Sequence, residues 1–180
     1  MTATTPSFPS RLPQVGTTIF STMSALAQQH QAVNLGQGFP DFGCDPRLLH
    51  AVTEAMHAGH NQYAPMPGIA ALRQAVSDKM LALYGRRYNA DSEITVTAGA
   101  TQGILTAILA CTQPGDEVIV LDPCYDSYVP AIEMSGAVPV RVPLTRGSFR
   151  PDFAALAAAL DPKTRLLLLN TPHNPTATVW

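Results

Sequence analysis

Apolar residues along this 180-residue chain recur with two different periods, and the change from one to the other divides it. Over residues 17–30, Ile19, Phe20, Met23 and Leu26 fall at helical spacing. Asp45-Pro46 opens a second helix, because Asp accepts from free amides at an N-cap and Pro is tolerated at the first helical position. Its predicted buried face is Leu48, Leu49, Val52 and Met56. A third helix carries Ile69, Leu72, Val76, Met80 and Leu83 on one side and ends at Gly85, a natural C-cap.

From Glu93 onward the pattern alternates. Residues 94–98, 117–121, 138–142 and 165–170 read as strands, and residues 100–111, 125–135 and 152–160 as helices. Near-continuous apolar strands separated by crossover helices predict an α/β fold, a mostly parallel sheet with helices on both faces. An arm over residues 1–16, rich in Pro, Ser and Thr, precedes it together with the first helices. We therefore divide the chain into an arm and helix, 1–31, and a larger domain, 32–180. After the last apolar run comes a loop and no closing element, so the domain is expected to be incomplete at its C-terminal side.

Composition narrows the function classes. The formal charge is −2 and the basic residues are scattered, Arg86-Arg87 being the only local pair, which gives no footprint for nucleic acid or an anionic membrane. No apolar run approaches the roughly 20 residues of a transmembrane helix, and residues 1–9 lack the pattern of a secretory signal. Cys44, Cys111 and Cys124 form no close pair and read as reduced thiols of a cytoplasmic protein. His57-x-x-His60 has no third ligand nearby and reads as a helix-end surface pair, so no metal site is expected.

Four segments carry candidate chemistry. At Thr97-Ala98-Gly99-Ala100-Thr101 a strand turns into a helix through small residues, and the amides at that helix start suit a phosphate, or else the small residues only permit tight packing. Tyr125, in Asp122-Pro123-Cys124-Tyr125, either stacks on a planar ligand or is a half-buried core tyrosine. In the loop 170–176 (NTPHNPT), Asn174 can donate to an oxyanion. The glycines of residues 36–40 (GQGFP) let backbone amides approach a ligand. A dinucleotide site, with Asp122 as its ribose-binding acid, ranks low, because residues 97–103 read TAGATQG and lack the G-x-G-x-x-G spacing.

Five segments in order, NLGQGFPDF, NQYAPMPG, TVTAGATQG, DPCYDSY and NTPHNPT, resemble the class I/II aminotransferases of the fold-type I pyridoxal phosphate (PLP) group. The likeness runs from about Leu12 to Trp180, and its wording is closest to the methionine and kynurenine aminotransferase branch. The resemblance implies a large domain of that fold, PLP as cofactor, amino acid and 2-oxo acid substrates, and a homodimer. It implies that the Ala100 and Thr101 amides after Gly99 hold the cofactor phosphate. Tyr125 would stack on the pyridine ring, Asn174 would bond its phenolic oxygen, and Tyr63 would reach the partner subunit's phosphate. Gly38 would offer its amide to the substrate carboxylate, with Ile19, Phe39 and Tyr63 as apolar pocket candidates. No arginine in the matched loops is placed for a second carboxylate, which disfavours aspartate and glutamate.

One departure stands inside the matched region: Ala177 occupies a position where the family commonly has Gly, and a positive φ there would strain the loop. PLP-dependent transamination also needs a lysine to hold the cofactor covalently. The only lysines, Lys79 and Lys163, lie on the polar side of a helix and in a turn, so no catalytic residue is assigned within the chain. The chain reads as an N-terminal fragment, inactive alone, with that lysine beyond Trp180. Transamination of methionine or other large neutral or aromatic amino acids is the leading function. A PLP-dependent C–S β-lyase of the same fold, a PLP-binding regulator and a nucleotide-binding module are the alternatives.

Overall fold

The structure, a computed structural model, describes residues 9–38 and 40–180. Helices α1 (Ile19–Gln29), α2 (Pro46–His57), α3 (Ala70–Tyr84) and α4 (Gly99–Cys111) come first. Strand β1 (Glu117–Asp122), α5 (Tyr128–Ser135), β2 (Val138–Pro143), α6 (Phe153–Ala159) and β3 (Thr164–Leu168) then alternate. Two compact units are present, Gly16–Val96 and a second built mainly from Thr97–Trp180.

In the second unit the sheet order is β2-β1-β3, and both pairings are parallel. β1 is the middle strand, and its apolar run EVIVLD has no polar face to offer water. Val118 and Val120 pack with Ile108 of α4 and Ala131 and Ile132 of α5. Ile119 and Leu121 point the other way, towards Val142, Leu144 and the α6 residues Leu156 and Ala159. The period-2 alternation of a strand thus feeds two layers of helix, and the expected α/β sheet with helices on both faces is present. All four of these β1 side chains are at most 3% exposed, and each contributes about 1.5–3 kcal/mol by leaving water. The crossovers β1-α5-β2 and β2-α6-β3 run on opposite faces, as parallel neighbours on both sides of one strand require.

Several expected boundaries move. Residues 125–127 are a turn, and α5 begins only at Tyr128; β3 ends at Leu168, two residues short of Asn170. Residues 94–98 form no strand. A strand exists only with a ladder partner, and here the Val96 amide donates to Pro67 O at 2.9 Å, with no neighbouring strand among the described residues.

The Gly16–Val96 unit corrects a second expectation. The stripe Leu48, Leu49, Val52 and Met56 of α2 is half exposed, as are Ile69 at the N-cap of α3 and Leu72 and Leu83 within it. The buried residues of α3 are instead Arg73 and Ser77. Arg73 donates from Nε to Gly68 O at 3.2 Å and from Nη1 to Ala90 O, and it pairs with Asp91 at 3.2 Å. Ser77 donates to Tyr88 O. The carbonyls of residues 88–90 therefore cover a polar stripe, because buried carbonyls need donors more than they need apolar neighbours.

Gly68 fixes the start of this arrangement. Its φ is +97°, and a Cβ built there would stand 2.5 Å from a Val96 methyl carbon. Gly59 shares the positive φ, at +87°, but has open space around it. Gly68→Ala is expected to cost about 1–3 kcal/mol more than Gly59→Ala, since both bear left-handed strain and only one overpacks. Urea unfolding of the two variants checks this, and equal losses would refute the close approach.

Candidate functional site

The carboxyl ends of parallel strands are where a ligand finds free backbone groups. Here β1 delivers Tyr125, β3 delivers Asn170 and Asn174, and α4 presents its first turn. Ala100, Thr101, Ile104, Tyr125, Tyr128, Asn170 and Asn174 line one open cleft of about 280 Å³.

The start of α4 is built to leave amides free. Gly99 has φ +84°, a conformation that glycine alone adopts without cost. The N-cap is Ala98, which has no side-chain acceptor, and no side chain caps the helix. The Gly99 amide bonds Thr97 O at 2.9 Å, and Gln102 Oε1 reaches back to accept the Ala98 amide. The first-turn amides of a helix have no intrahelical acceptor, so those of Ala100 and Thr101 remain to be satisfied from the cleft. With the partial positive charge of the helix start, they suit an anion.

Across the cleft, Tyr125 is half-buried and meets Tyr128 edge to face, centroids 5.7 Å apart at 70°. That contact steadies one ring and leaves it able to lie against a flat ligand. Burial raises the Tyr128 pKa, with smaller contributions from Cys124 and Tyr125, and its phenol stays protonated at neutral pH. Asp122 takes no part in this cleft. It pairs with Arg141 at 3.3 Å and lines a separate cavity with Gln14, Asp126 and Glu133. A ribose-binding role for Asp122 has no geometry here. Burial also raises the pKa of Cys124, which argues for a packing thiol and against a nucleophile.

The loop after β3 is held by its own side chains. Asn170 Oδ1 accepts the Asn174 amide at 2.8 Å. His173, only 4% exposed, bonds Thr176 Oγ1 through Nδ1 at 2.7 Å, and Thr176 Oγ1 donates to Thr178 Oγ1 at 3.1 Å. Since Thr176 gives its one hydroxyl hydrogen to Thr178, Nδ1 of His173 is the donor. The imidazole also faces Trp180 at 5.0 Å, and the Ala177 amide returns to His173 O at 2.7 Å. His173 is thus part of the loop's bonding. Ala177 has φ +58°, the left-handed conformation that the expected glycine would relieve.

Gly99, Ala100, Thr101, Tyr125 and Asn174 all belong to the unit built from Thr97–Trp180, where the last four share the cleft. Ile19, Gly38 and Tyr63 belong to Gly16–Val96. Ile19 opens α1 and is 65% exposed, Gly38 lies in an open turn, and the Tyr63 side chain is fully exposed. Phe39 lies outside the described residues. Sequence reasoning assigned no role to Tyr128, Asn170 and Gln102. Tyr125-x-x-Tyr128 and the asparagine opening NTPHNPT were the available signals, whereas nothing marked Gln102 as the acceptor for the Ala98 amide.

Two stability effects follow from the loop. Ala177→Gly should stabilise the protein by about 0.5–1 kcal/mol, the left-handed penalty removed less the added entropy of the unfolded chain; an unchanged or lower melting temperature would contradict the strain. Burial lowers the His173 pKa below its ordinary value of 6.5. Protonation begins near 6.5 in the unfolded chain and later in the folded one, so this contribution is intact above that pH and is lost as pH falls through it. His173→Gln should flatten the fall in stability between about pH 7 and 5, as followed by denaturant midpoints.

The family pattern for aminotransferase class I and II matches residues 30–180. The methionine aminotransferase of Escherichia coli is 56% identical over 171 residues, which are 95% of this chain and 44% of that protein. The kynurenine–oxoglutarate transaminase of Dictyostelium discoideum is 36% identical over 181 residues, 92% of this chain and 42% of that one. The solved structure of Escherichia coli YbdL, identified with a methionine aminotransferase function, superposes with a TM-score of 0.93 at 56% identity, covering 97% of this chain and 46% of its own. This chain therefore spans under half the length of these relatives. With its parallel sheet, its open helix start and its matched length of 151 residues counted inclusively from 30 to 180, the chain belongs to the class I and II aminotransferases.

Proposed function

We propose that the protein carrying this chain is a PLP-dependent aminotransferase that takes methionine or other large neutral or aromatic amino acids, with a 2-oxo acid as acceptor. The observation that carries this reading is the convergence of two free amides, a half-buried aromatic ring and a carboxamide on one cleft. A phosphate, a flat heteroaromatic ring and a phenolic oxygen need those three kinds of partner. When bound, PLP supplies an electron sink conjugated to the amino acid's α-carbon.

The chain's own residues would bind and orient. The Ala100 and Thr101 amides would take the phosphate at the start of α4. Tyr125 would lie on the ring and exclude water from one face, and Asn174 would donate its amide hydrogen to the phenolic oxygen. By the family resemblance, Gly38 would offer its amide to a substrate carboxylate, and Ile19 and Phe39 are candidates for contact with the substrate side chain. The full exposure of Tyr63 suits a residue that completes the site of a partner subunit, and we propose a cytoplasmic homodimer. Among the described residues no helix is long and apolar enough to cross a membrane. The substrate class rests on similarity to the methionine and kynurenine enzymes.

Lys79 and Lys163 are both exposed, and neither lines the cleft. Residues 1–180 alone should therefore show no turnover of methionine with a 2-oxo acid, and measurable turnover would overturn that expectation. Ala100→Pro tests the anion site in the protein expressed from its complete reading frame. Proline deletes one amide yet fits the first turn of a helix. It should weaken PLP retention by about 10–100-fold, as expected for one charge-assisted hydrogen bond, while leaving pyridoxal without its phosphate nearly unaffected. Equal retention of PLP by the proline variant and the unaltered protein would remove the phosphate from α4.

A further inference from the structure

The hydrogen-bond pattern of the 170–180 loop separates two asparagines that look alike in sequence. Asn174 has no side-chain hydrogen bond among the described residues, so its carboxamide is free for the cleft. Its backbone amide, by contrast, is committed: Asn170 Oδ1 accepts it at 2.8 Å. Asn170 stands two residues after the end of β3 and is itself half-buried at the wall of the same cleft. β3 is held in parallel register against β1, with Val120 opposite Leu168. The bond from Asn170 therefore ties the free carboxamide to the sheet across a stretch of only four residues.

We propose that Asn170 is a positioning residue for the PLP site, acting through Asn174 by fixing where the Asn174 carboxamide meets the phenolic oxygen. This rests on the proposed cofactor reading. Without an acceptor at position 170, the Asn174 amide must turn towards water or another carbonyl, and the peptide plane that aims the side chain turns with it. A donor displaced by even about 1 Å loses most of its value to a fixed acceptor, because hydrogen bonds weaken steeply with distance and angle. His173 does not substitute for Asn170. Its side chain bonds Thr176 and its backbone amide donates to Thr178 O, on the far side of Asn174. Asparagine suits position 170 better than aspartate for a further reason. A carboxylate would also accept the Asn174 amide, but it would place a negative charge in the cleft whose opposite wall offers amides to an anion.

The test is a double-mutant cycle in the protein expressed from its complete reading frame, read by equilibrium PLP retention together with thermal unfolding. Asn170→Ala and Asn174→Ala should each weaken retention by about ten-fold, in the range reported for residues that orient a ligand-binding group. The double variant should be no weaker than about the single ones, since the two act on one bond. With 3-deoxypyridoxal phosphate, which lacks the phenolic oxygen, Asn170→Ala should have no effect. Multiplying losses in the double variant, or an equal loss with the deoxy ligand, overturns the inference and leaves the proposed function standing. Failure of the unaltered protein to retain PLP overturns both. If Asn170→Ala does not fold, Asn170→Asp keeps the acceptor and carries the test. It should unfold like the unaltered protein and weaken the binding of phosphate-free pyridoxal less than Asn174→Ala does, because the Asn174 amide remains held. A loss as large as that of Asn174→Ala would refute the positioning role.

Discussion

The burial of β1 on both faces is the constraint from which the cleft follows. A strand whose side chains all leave water must have a helical layer on each side and a strand at each edge, and β1 has all four neighbours. Parallel pairing on both edges then brings the ends of β1 and β3 out at the same side of the sheet. Tyr125 and Asn170 inherit their positions from that arrangement, one following each strand. α4 is fixed from below by the packing of Ile108 on Val118 and Val120, and its first turn arrives beside them. The polar groups of the cleft need little bonding to one another, because the apolar layers beneath them set the spacing.

How much of this was legible in the sequence depends on where each signal came from. β1 could be read from EVIVLD because continuous burial demands an unbroken apolar run. α2 and α6 could be read from Asp45 and Asp152, whose carboxylates cap the helices they precede. Residues 94–98 satisfy the same local rules as β1 and form no strand, since pairing is a property of two segments and the sequence displays one at a time. The apolar stripes of α2 and α3 could be read as stripes, but their burial could not, because the stripe does not say what lies against it. Arg73 was invisible for a related reason. Its partners are carbonyls of Gly68 and Ala90, and backbone acceptors leave no mark in a sequence.

The candidate site divides in the same way. Gly99, Ala100, Thr101, Tyr125 and Asn174 were found as motif residues, each with side-chain or backbone chemistry that a ligand could use. Gln102 and Asn170 were not, although each satisfies a neighbouring amide and so shapes what the motif residue can do. Gln102 takes the Ala98 amide and Asn170 takes that of Asn174. Such residues act on the backbone at a distance of four positions, and their role appears only once the turn is formed. The strain at Ala177 is the intermediate case. The departure from glycine was visible, and the structure supplied the φ of +58° that gives it meaning.

An uncapped helix start and a left-handed alanine are both unfavourable by themselves, and the first lies on the cleft while the second lies in the loop that carries Asn174. A capping Ser or Asp at position 98 would stabilise α4 by about 1 kcal/mol, yet its oxygen would occupy an amide that an anion could use. Ala98 cannot compete, and the Gln102 side chain accepts the Ala98 amide. In the loop after β3, the bonds of His173, Thr176 and Thr178 hold Ala177 against its preference. Among the described residues the Asn174 carboxamide has no protein partner. The first-turn amides of α4 and the Asn174 carboxamide are thus the groups in the cleft that a ligand could satisfy. A bound anion would then stabilise the fold through the groups left open, which couples occupancy of the cleft to the stability of the unit that forms it.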